Sequence, residues 1–320
     1  MSNDTFVRTW SFGTLVVSSA MLLQGWLLLA TNSLLILIIL YHSRLRNRKE
    51  FASIACVAAA DFLFGAGFFS SSISDIYRYL MRVTRHTFTS RQCMLTPSTL
   101  LFIYSMPAQA FTLLAQSLDR FLAIKFPLFY FGLTASYSWR LMAIAFAYDL
   151  AQSVALGVAS WQQVRMHGAR CGPASSLSPQ YYQIWNASHN LACLLSVSIF
   201  ALTAVVYRRH MNQTVPETDR ERAQHMRAQR KVTVSMGISC LFTVAFLLIP
   251  RLFNVLILKV FSHSGRTLFI REAAILLYSL NSCLNLFIYY KRHPEIKVGL
   301  TCLLKRQQLP ANLQPTSAPA

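Results

Sequence analysis

Long apolar runs alternate with short polar segments along the whole chain. About 20 consecutive apolar residues can cross a bilayer as a helix, and a helix satisfies every backbone N–H and C=O in lipid. The pattern therefore predicts an all-α membrane protein, a seven-transmembrane helix bundle. Its spans are predicted at residues 12–40, 51–74, 95–118, 141–160, 182–207, 232–258 and 270–290.

The distribution of Lys and Arg predicts how these spans are oriented. With the N-terminus outside, 19 of the 30 basic residues fall on inner segments, and cytoplasmic loops are enriched in Lys and Arg. We therefore expect the N-terminus outside and the C-terminus inside. The predicted domains are an extracellular tail at 1–11, a membrane domain at 12–290, a short amphipathic helix at 291–304 and a disordered cytoplasmic tail at 305–320.

The composition agrees with a membrane location. Only 13% of the residues are charged and 54% are hydrophobic, whereas a soluble domain has about 25% charged residues. The first run exceeds the short apolar core of a signal peptide, so we interpret it as a retained span. We expect a multi-pass protein of the plasma membrane, with lipid as a partner and without a nucleic-acid partner.

Three covalent modifications are predicted from the expected orientation. Of the seven cysteines, Cys93 and Cys171 fall on the oxidising outer side, which predicts a disulfide between the top of span three and the loop after span four. Asn3 begins an Asn-Asp-Thr glycosylation acceptor on the outer tail. Cys302 lies where an acyl chain could reach the inner leaflet, which makes it a palmitoylation candidate.

Polar residues of several spans fall at one depth. Counted at 1.5 Å per residue, Asp61, Gln109 and Asn281 lie about 15–16 Å from the inner border, at mid-bilayer. Asn285 shares a helix face with Asn281, and Asn32 comes to nearly the same depth. This layer predicts a polar seam that holds water or an ion. The alternative is that each Asn or Gln only joins neighbouring helices.

Charged residues mark further positions in the predicted spans. Asp119 and Arg120 stand at the inner end of the third span. Arg251 follows Pro250 about 12 Å below the outer border, where it could reach outward to water or form the floor of a ligand cavity. Asp149 also falls in mid-span, and a carboxylate there costs several kcal/mol unless it is protonated, paired or hydrated.

In this order on seven runs, these motifs resemble the rhodopsin-like (class A) G-protein-coupled receptors over about residues 12–303. The stretch from Asp119 to Pro127 is most similar to the nematode serpentine chemoreceptors. The resemblance implies a receptor, not an enzyme, which senses an extracellular ligand and activates a heterotrimeric G protein. The matching pieces are Asn32, Asp61, Asp119-Arg120, Pro250, and Asn285 to Tyr289.

The resemblance also implies roles for single residues. Asp119 would hold Arg120 in the inactive state, and Arg120 would face the G protein in the active state. Asp61 would anchor a polar centre that binds a sodium ion, and we expect no other cofactor. The implied activation set is Asp119, Arg120, Phe121, Pro250, Asn285 and Tyr289, and the predicted polar centre comprises Asn32, Asp61, Gln109, Asn281 and Asn285.

The chain departs from the family pattern in several places. Leu286 replaces the usual proline of the seventh span, Phe121 replaces a tyrosine, and Cys93 lies two residues farther from Arg120 than the usual spacing. Arg230 stands where an acid often locks the inner end of span six. We therefore expect a weakly held inactive state with measurable ligand-independent signalling.

The ligand is predicted from charge. The outer segments carry ten cations and only three acids, which attracts anions, and Arg251 lies below them. We expect a small anionic ligand sensed by a chemosensory receptor, with a neuropeptide receptor of the same superfamily as the first alternative. The alternative from another class is a transporter or channel that uses Asp61, Asp149 and Arg251, but the chain shows no repeated half.

Overall fold

The computed structural model describes residues 12–81, 87–167, 171–213, 245, 249 and 265–307. Helices dominate these residues. In chain order they are α1 (Phe12–Tyr41), α2 (Ser43–Arg46), α3 (Lys49–Leu80), α4 (Ser90–Met94), α5 (Pro97–Lys125), α6 (Pro127–Gly132), α7 (Ala135–Ser160), α8 (Pro173–Ser176), α9 (Pro179–Gln213), α10 (Gly265–Arg292) and α11 (Pro294–Leu304).

Five of the described helices are long and apolar enough to cross a membrane by length and composition: α1, α3, α5, α7 and α9. Helix α10 covers the predicted seventh run. The predicted sixth run, 232–258, lies outside the described residues except for Ala245 and Ile249. Seven spans and their orientation therefore stay predictions, as do the boundaries of the two terminal tails.

The helices extend past the apolar runs from which they were predicted. Helix α3 continues to Leu80, six residues beyond the predicted end, and α7 begins at Ala135, six residues before the predicted start. Polar and charged residues at a membrane border can continue a helix, since backbone bonding does not depend on the side chain. The predicted helix at 291–304 begins later, at Pro294, because proline suits the first helical position.

The fold is mainly helical, as predicted, and the described residues include one short sheet. Two short strands, β1 (Phe88–Thr89) and β2 (Met166–His167), pair in antiparallel fashion, with Phe88 opposite His167. A two-residue ladder is too short to leave an alternating pattern in the sequence. The strands lie beside the disulfide between Cys93 and Cys171, and we call this end of the bundle the disulfide end.

Helices α1 and α3 approach closely through two glycines. A Cβ atom on Gly25 would lie 2.7 Å from the backbone nitrogen of Phe69, and one on Gly65 would lie 2.6 Å from the Cβ of Leu28. Neither position has room for a side chain. Small residues at such a contact allow backbones to pack tightly, which is how helices associate in lipid.

Pro107 interrupts the hydrogen bonding of α5 and thereby connects three helices. A proline inside a helix has no N–H, which leaves the carbonyl four residues earlier without its usual partner. That carbonyl belongs to Ile103, and it accepts bonds from the indole Nε1 of Trp185 on α9 at 2.9 Å and from Ser153 Oγ on α7 at 3.3 Å. The broken bond of α5 thus joins α5 to α7 and α9.

Candidate functional site

A polar centre forms around Asp61 on α3, whose side chain is buried with 3% exposure. Its Oδ1 accepts hydrogen bonds from Gln109 Nε2 on α5 and from Ser282 Oγ on α10, both at 2.7 Å. Its Oδ2 accepts a third bond from Asn285 Nδ2 at 2.8 Å. Three helices therefore meet at one carboxylate, and its charge is stabilised by three donors.

Not every residue predicted for this centre joins it. The amide of Asn32 donates to the carbonyl of Leu28 in its own helix at 2.9 Å, and its Oδ1 has no partner among the described residues. The side chain of Asn281 lies outside the described residues. Ser282 was missed by the sequence reasoning, although it lies three residues before Asn285 and so on the same helix face.

The side chains around Asp61 include oxygen atoms, the kind of ligand that a sodium ion takes. A hard monovalent cation prefers oxygen ligands, and the centre offers the Asp61 carboxylate and Ser282 Oγ. Gln109 and Asn285 could present their amide oxygens if each amide turned about its last side-chain bond. The described residues contain no group of three or more His, Cys, Asp or Glu side chains placed to hold a metal ion.

We call the end of the bundle opposite to the disulfide end the arginine end. A second polar cluster lies there. Asp119, at the end of α5, is fully buried, and Arg120 Nε lies 3.6 Å from its Oδ2. The same oxygen accepts a hydrogen bond from the hydroxyl of Tyr130 on α6 at 3.2 Å. Oδ2 of Asp119 thus contacts both the neighbouring guanidinium and a tyrosine from α6.

Lys49 fixes Tyr130 from the other side. Its Nζ donates to the Tyr130 carbonyl at 2.5 Å and lies 4.1 Å from the centre of the Tyr130 ring, a cation–π distance. Burial raises the pKa of the Tyr130 hydroxyl, although the charge of Arg120 acts in the opposite direction. Tyr130 therefore remains a neutral donor to Asp119 at physiological pH.

The comparison with known families assigns the chain. Residues 27–301, most of its length, match the family described as serpentine type 7TM GPCR chemoreceptor Srsx. The chain belongs to this chemoreceptor family. It is therefore a multi-pass membrane receptor of the chemosensory type, which confirms the resemblance predicted from the sequence. No curated protein matches the chain.

The disulfide end of the receptor is held covalently. Cys93, at the end of α4, is bonded to Cys171 with a Cα–Cα distance of 5.0 Å, which confirms the predicted pairing. Cys93 lies farther from Arg120 than in the usual family spacing, and the short helix α4 before α5 accommodates this difference. Thr89 caps α4, since its side chain accepts from Gln92 N while the Gln92 side chain accepts from Thr89 N.

The remaining predicted activation residues are only partly described. Phe121 and Tyr289 are half-buried, and Tyr289 packs against the apolar cluster that contains Ile296. The predictions for Pro250, Arg251 and the glycosylation site Asn3 lie outside the described residues.

Helix α11 docks against the arginine end of the receptor. Glu295 is 3.1 Å from Arg48, and His42 Nε2 bonds the carbonyl of Gly299 at 2.9 Å. A Cβ on Gly299 would lie 3.0 Å from Ile38, so the close approach requires a small residue. Cys302, the palmitoylation candidate, is buried with 9% exposure, and its acylation stays a prediction.

Proposed function

We propose that this receptor lies in the plasma membrane with its disulfide end outside, binds a small anionic ligand there, and activates a heterotrimeric G protein at its arginine end. The observation that carries the proposal is the burial of Asp119 between Arg120 and Tyr130. A cation held at a membrane border by a buried acid is poised to change partners. In the proposed active state, Arg120 leaves Asp119 and contacts the G protein.

Hydrogen bonds of the polar centre connect the helices that run between the two ends. Gln109 links α5 to Asp61, and Asn285 and Ser282 link α10 to the same carboxylate. Tyr289 follows Asn285 by one helical turn and packs against the apolar cluster that contains Ile296 of α11. A shift of α10 relative to α5 would therefore disturb the Asp61 bonds and the packing of Tyr289 at the arginine end together. Ligand binding that favours the shifted state would raise its population.

A G-protein reporter assay with matched variants tests the signalling role. We expect Arg120→Ala to abolish signalling above background, because no other side chain in the cluster can replace its guanidinium. Asp119→Asn should raise ligand-independent signalling, since Arg120 loses its charged partner. Arg46→Ala removes an exposed cation from α2 at the same end and is the control. Unchanged signalling by Arg120→Ala would refute the proposed coupling.

The anionic ligand is supported by cations at the disulfide end that contact neutral groups. Arg91 Nε donates to the Trp161 carbonyl at 2.8 Å, and its guanidinium carbon lies 5.6 Å from the centre of the ring of that tryptophan. A guanidinium nitrogen of Arg165 donates to the Leu177 carbonyl at 2.8 Å. Carbonyls and rings orient these cations without cancelling their charge, so an attractive field for anions remains.

A screen of small carboxylates and phosphates, in parallel with acidic peptides, tests the ligand class. Arg251→Ala should raise the half-maximal concentration of an active anion by about tenfold or more, since a hydrogen bond to a charged group contributes about 1.5–3 kcal/mol. Lys259→Ala, which removes a cation eight residues later, is the matched control. A response to acidic peptides alone would favour the neuropeptide alternative.

A further inference from the structure

Helix α9 is attached to α5 at two carbonyls, one on each side of Pro107. On the side nearer the disulfide end, Trp185 Nε1 donates to the Ile103 carbonyl at 2.9 Å. On the other side, Ser196 Oγ donates to the Leu113 carbonyl at 3.1 Å. The two attachments follow the same order along both helices, so α5 and α9 run in the same direction and α9 spans the interruption at Pro107.

The two attachments differ in what they add to α5. The Leu113 carbonyl has a regular helical partner in the backbone N–H of Ser117, so the bond from α9 is an additional one there. The Ile103 carbonyl has no such partner, because the residue four positions later is a proline. Its donors are side chains of α7 and α9. The shape of α5 at this point therefore depends on its neighbours.

Gln109 lies between the two attachments, two residues after Pro107. Its amide donates to Asp61 Oδ1 at 2.7 Å and to Ser282 Oγ at 3.3 Å. A proline inside a helix is a common point of bending. Bending of α5 at Pro107 would therefore change the position of Gln109 relative to the carboxylate of α3 and to α10.

Trp185 lies directly beneath the disulfide end. It is 2% exposed and packs in one apolar cluster with Met94, which follows the disulfide-bonded Cys93, and with Leu177. Arg165 donates to the Leu177 carbonyl at 2.8 Å, and its Nε has no hydrogen-bond partner within the described part of the chain. An anion bound to Arg165 would compete with this carbonyl for the guanidinium and loosen the packing of Leu177 on Trp185.

We propose that Trp185 is a positioning residue for signalling. Its bond to the Ile103 carbonyl holds α5 in the inactive state. Ligand binding at the disulfide end breaks this bond, and α5 then bends at Pro107 and carries Gln109 away from Asp61. The signalling part of the proposal rests on the proposed function, whereas the dependence of α5 on Trp185 does not require a G protein.

Ligand-independent output of a G-protein reporter, measured at equal surface expression, tests the signalling part. Trp185→Phe keeps an aromatic ring but loses the N–H. We expect its output per receptor to rise about fivefold, which corresponds to one hydrogen bond of about 1 kcal/mol lost from the inactive state. Ser196→Ala removes only the additional bond to α5 and is the matched control. Output from Trp185→Phe no higher than from Ser196→Ala would overturn the proposal.

Pro107→Ala tests the role of the helix interruption. Alanine supplies the backbone N–H that the Ile103 carbonyl lacks, so α5 no longer depends on Trp185. Combined with Trp185→Phe, it should return the output to the wild-type level or below. A double variant as active as Trp185→Phe alone would contradict the proposed bending. A tryptophan with a purely structural role would lower the melting temperature and leave the output per receptor unchanged.

Amide hydrogen exchange on the purified full-length receptor, without a G protein, tests the dependence of α5 on Trp185. Trp185→Phe should speed exchange in residues 104–113 about fivefold, and Pro107→Ala should reverse the change. Trp139→Phe, which alters a half-buried tryptophan of α7 in other apolar clusters, is the control and should leave this segment unchanged. Equal exchange in Trp185→Phe and the wild type would overturn the proposal.

The two measurements together separate this proposal from the proposed function. If Asp119→Asn raises the reporter output and Trp185→Phe does not, the signalling role of Trp185 is refuted and the coupling at Arg120 stands. If the reporter responds to neither Asp119→Asn nor Arg120→Ala, the proposed function fails. The exchange of residues 104–113 then decides alone whether Trp185 holds α5.

Discussion

Asp61 and Asp149 are both buried carboxyl groups in the middle of long helices, with 3% and 0% exposure, yet their surroundings differ. Asp61 accepts hydrogen bonds from Gln109, Ser282 and Asn285. Both oxygens of Asp149 lack a hydrogen-bond partner within the described part of the chain. Burial and helix position are alike, so the difference lies in what the neighbouring helices offer.

The comparison separates a built polar site from an isolated polar residue. Three donors can stabilise an ionised Asp61, and they tie α3 to α5 and α10 at the same time. An ionised Asp149 on α7 would be an uncompensated charge, so we expect its carboxyl to be neutral. This contrast also weakens the transporter alternative, which needs both carboxyls on one path.

The largest effect is expected for Asp61→Leu. The substitution removes the common acceptor and leaves the buried donors Gln109, Ser282 and Asn285 without it. We expect a loss of about 3 kcal/mol, or roughly 5 °C in melting temperature for a chain of 320 residues, measured on purified receptor in detergent. Asp61→Asn keeps an acceptor oxygen and should lose less. An unchanged melting temperature for Asp61→Leu would show that the centre does not hold the helices together.

Asp149→Leu should have the opposite sign. Replacing a buried polar group that lacks partners by an apolar side chain of similar size removes a desolvation cost, which predicts a gain of about 1 kcal/mol. The same melting assay measures it. Asp149→Asn is the control for shape, and it should differ little from the wild type if the carboxyl is neutral. Destabilisation similar to that of Asp61→Leu would reveal a partner of Asp149.

A smaller effect is expected for Trp185→Phe, on the α7 and α9 side of the bundle. The variant keeps an aromatic ring but loses the N–H that bonds the Ile103 carbonyl. That carbonyl keeps Ser153 as a second donor, so we expect a loss of only about 1 kcal/mol. Combining it with Ser153→Ala should destabilise by more than the sum of the two, because the carbonyl then has no donor. Strict additivity would contradict this shared role.

The smallest effect concerns the sodium ion predicted at Asp61. Replacing choline by sodium at constant ionic strength should raise stability by about 0.4 kcal/mol when the sodium concentration equals the dissociation constant. Asp61→Asn should abolish the response, whereas Asp149→Asn should keep it. A sodium effect that survives Asp61→Asn would place the ion elsewhere.

How far the sequence predicted these features depends on the kind of signal. Apolar runs located the five described long helices because lipid imposes one length and one hydrophobicity on every span. Depth counting brought Asp61, Gln109 and Asn281 to one level, and Asn285 was added because it shares a helix face with Asn281. The structure places Asp61, Gln109 and Asn285 together. Depth alone does not give the direction in which a side chain points, which is why Asn32 was included although it bonds within its own helix.

The contacts that were missed depend on loops and on rotation about helix axes. Tyr130 reaches Asp119 from α6. A helix of six residues is too short to show a recognisable apolar periodicity in the sequence. Lys49 was counted as an orientation signal, and its contact with Tyr130 needs the mutual placement of α3 and α6. The β1–β2 pair was missed because it is formed by two loops far apart in the sequence.

The close approach of Gly25 and Gly65 has a consequence for biogenesis. The first two long helices leave the ribosome before any other part of the bundle, and their glycine contact needs no later helix to complete it. They can therefore assemble as a hairpin while synthesis continues, and α5, α7 and α9 can be added to a finished surface. Bulky substitutions at these glycines should thus act early, through poor insertion and rapid degradation of the nascent chain.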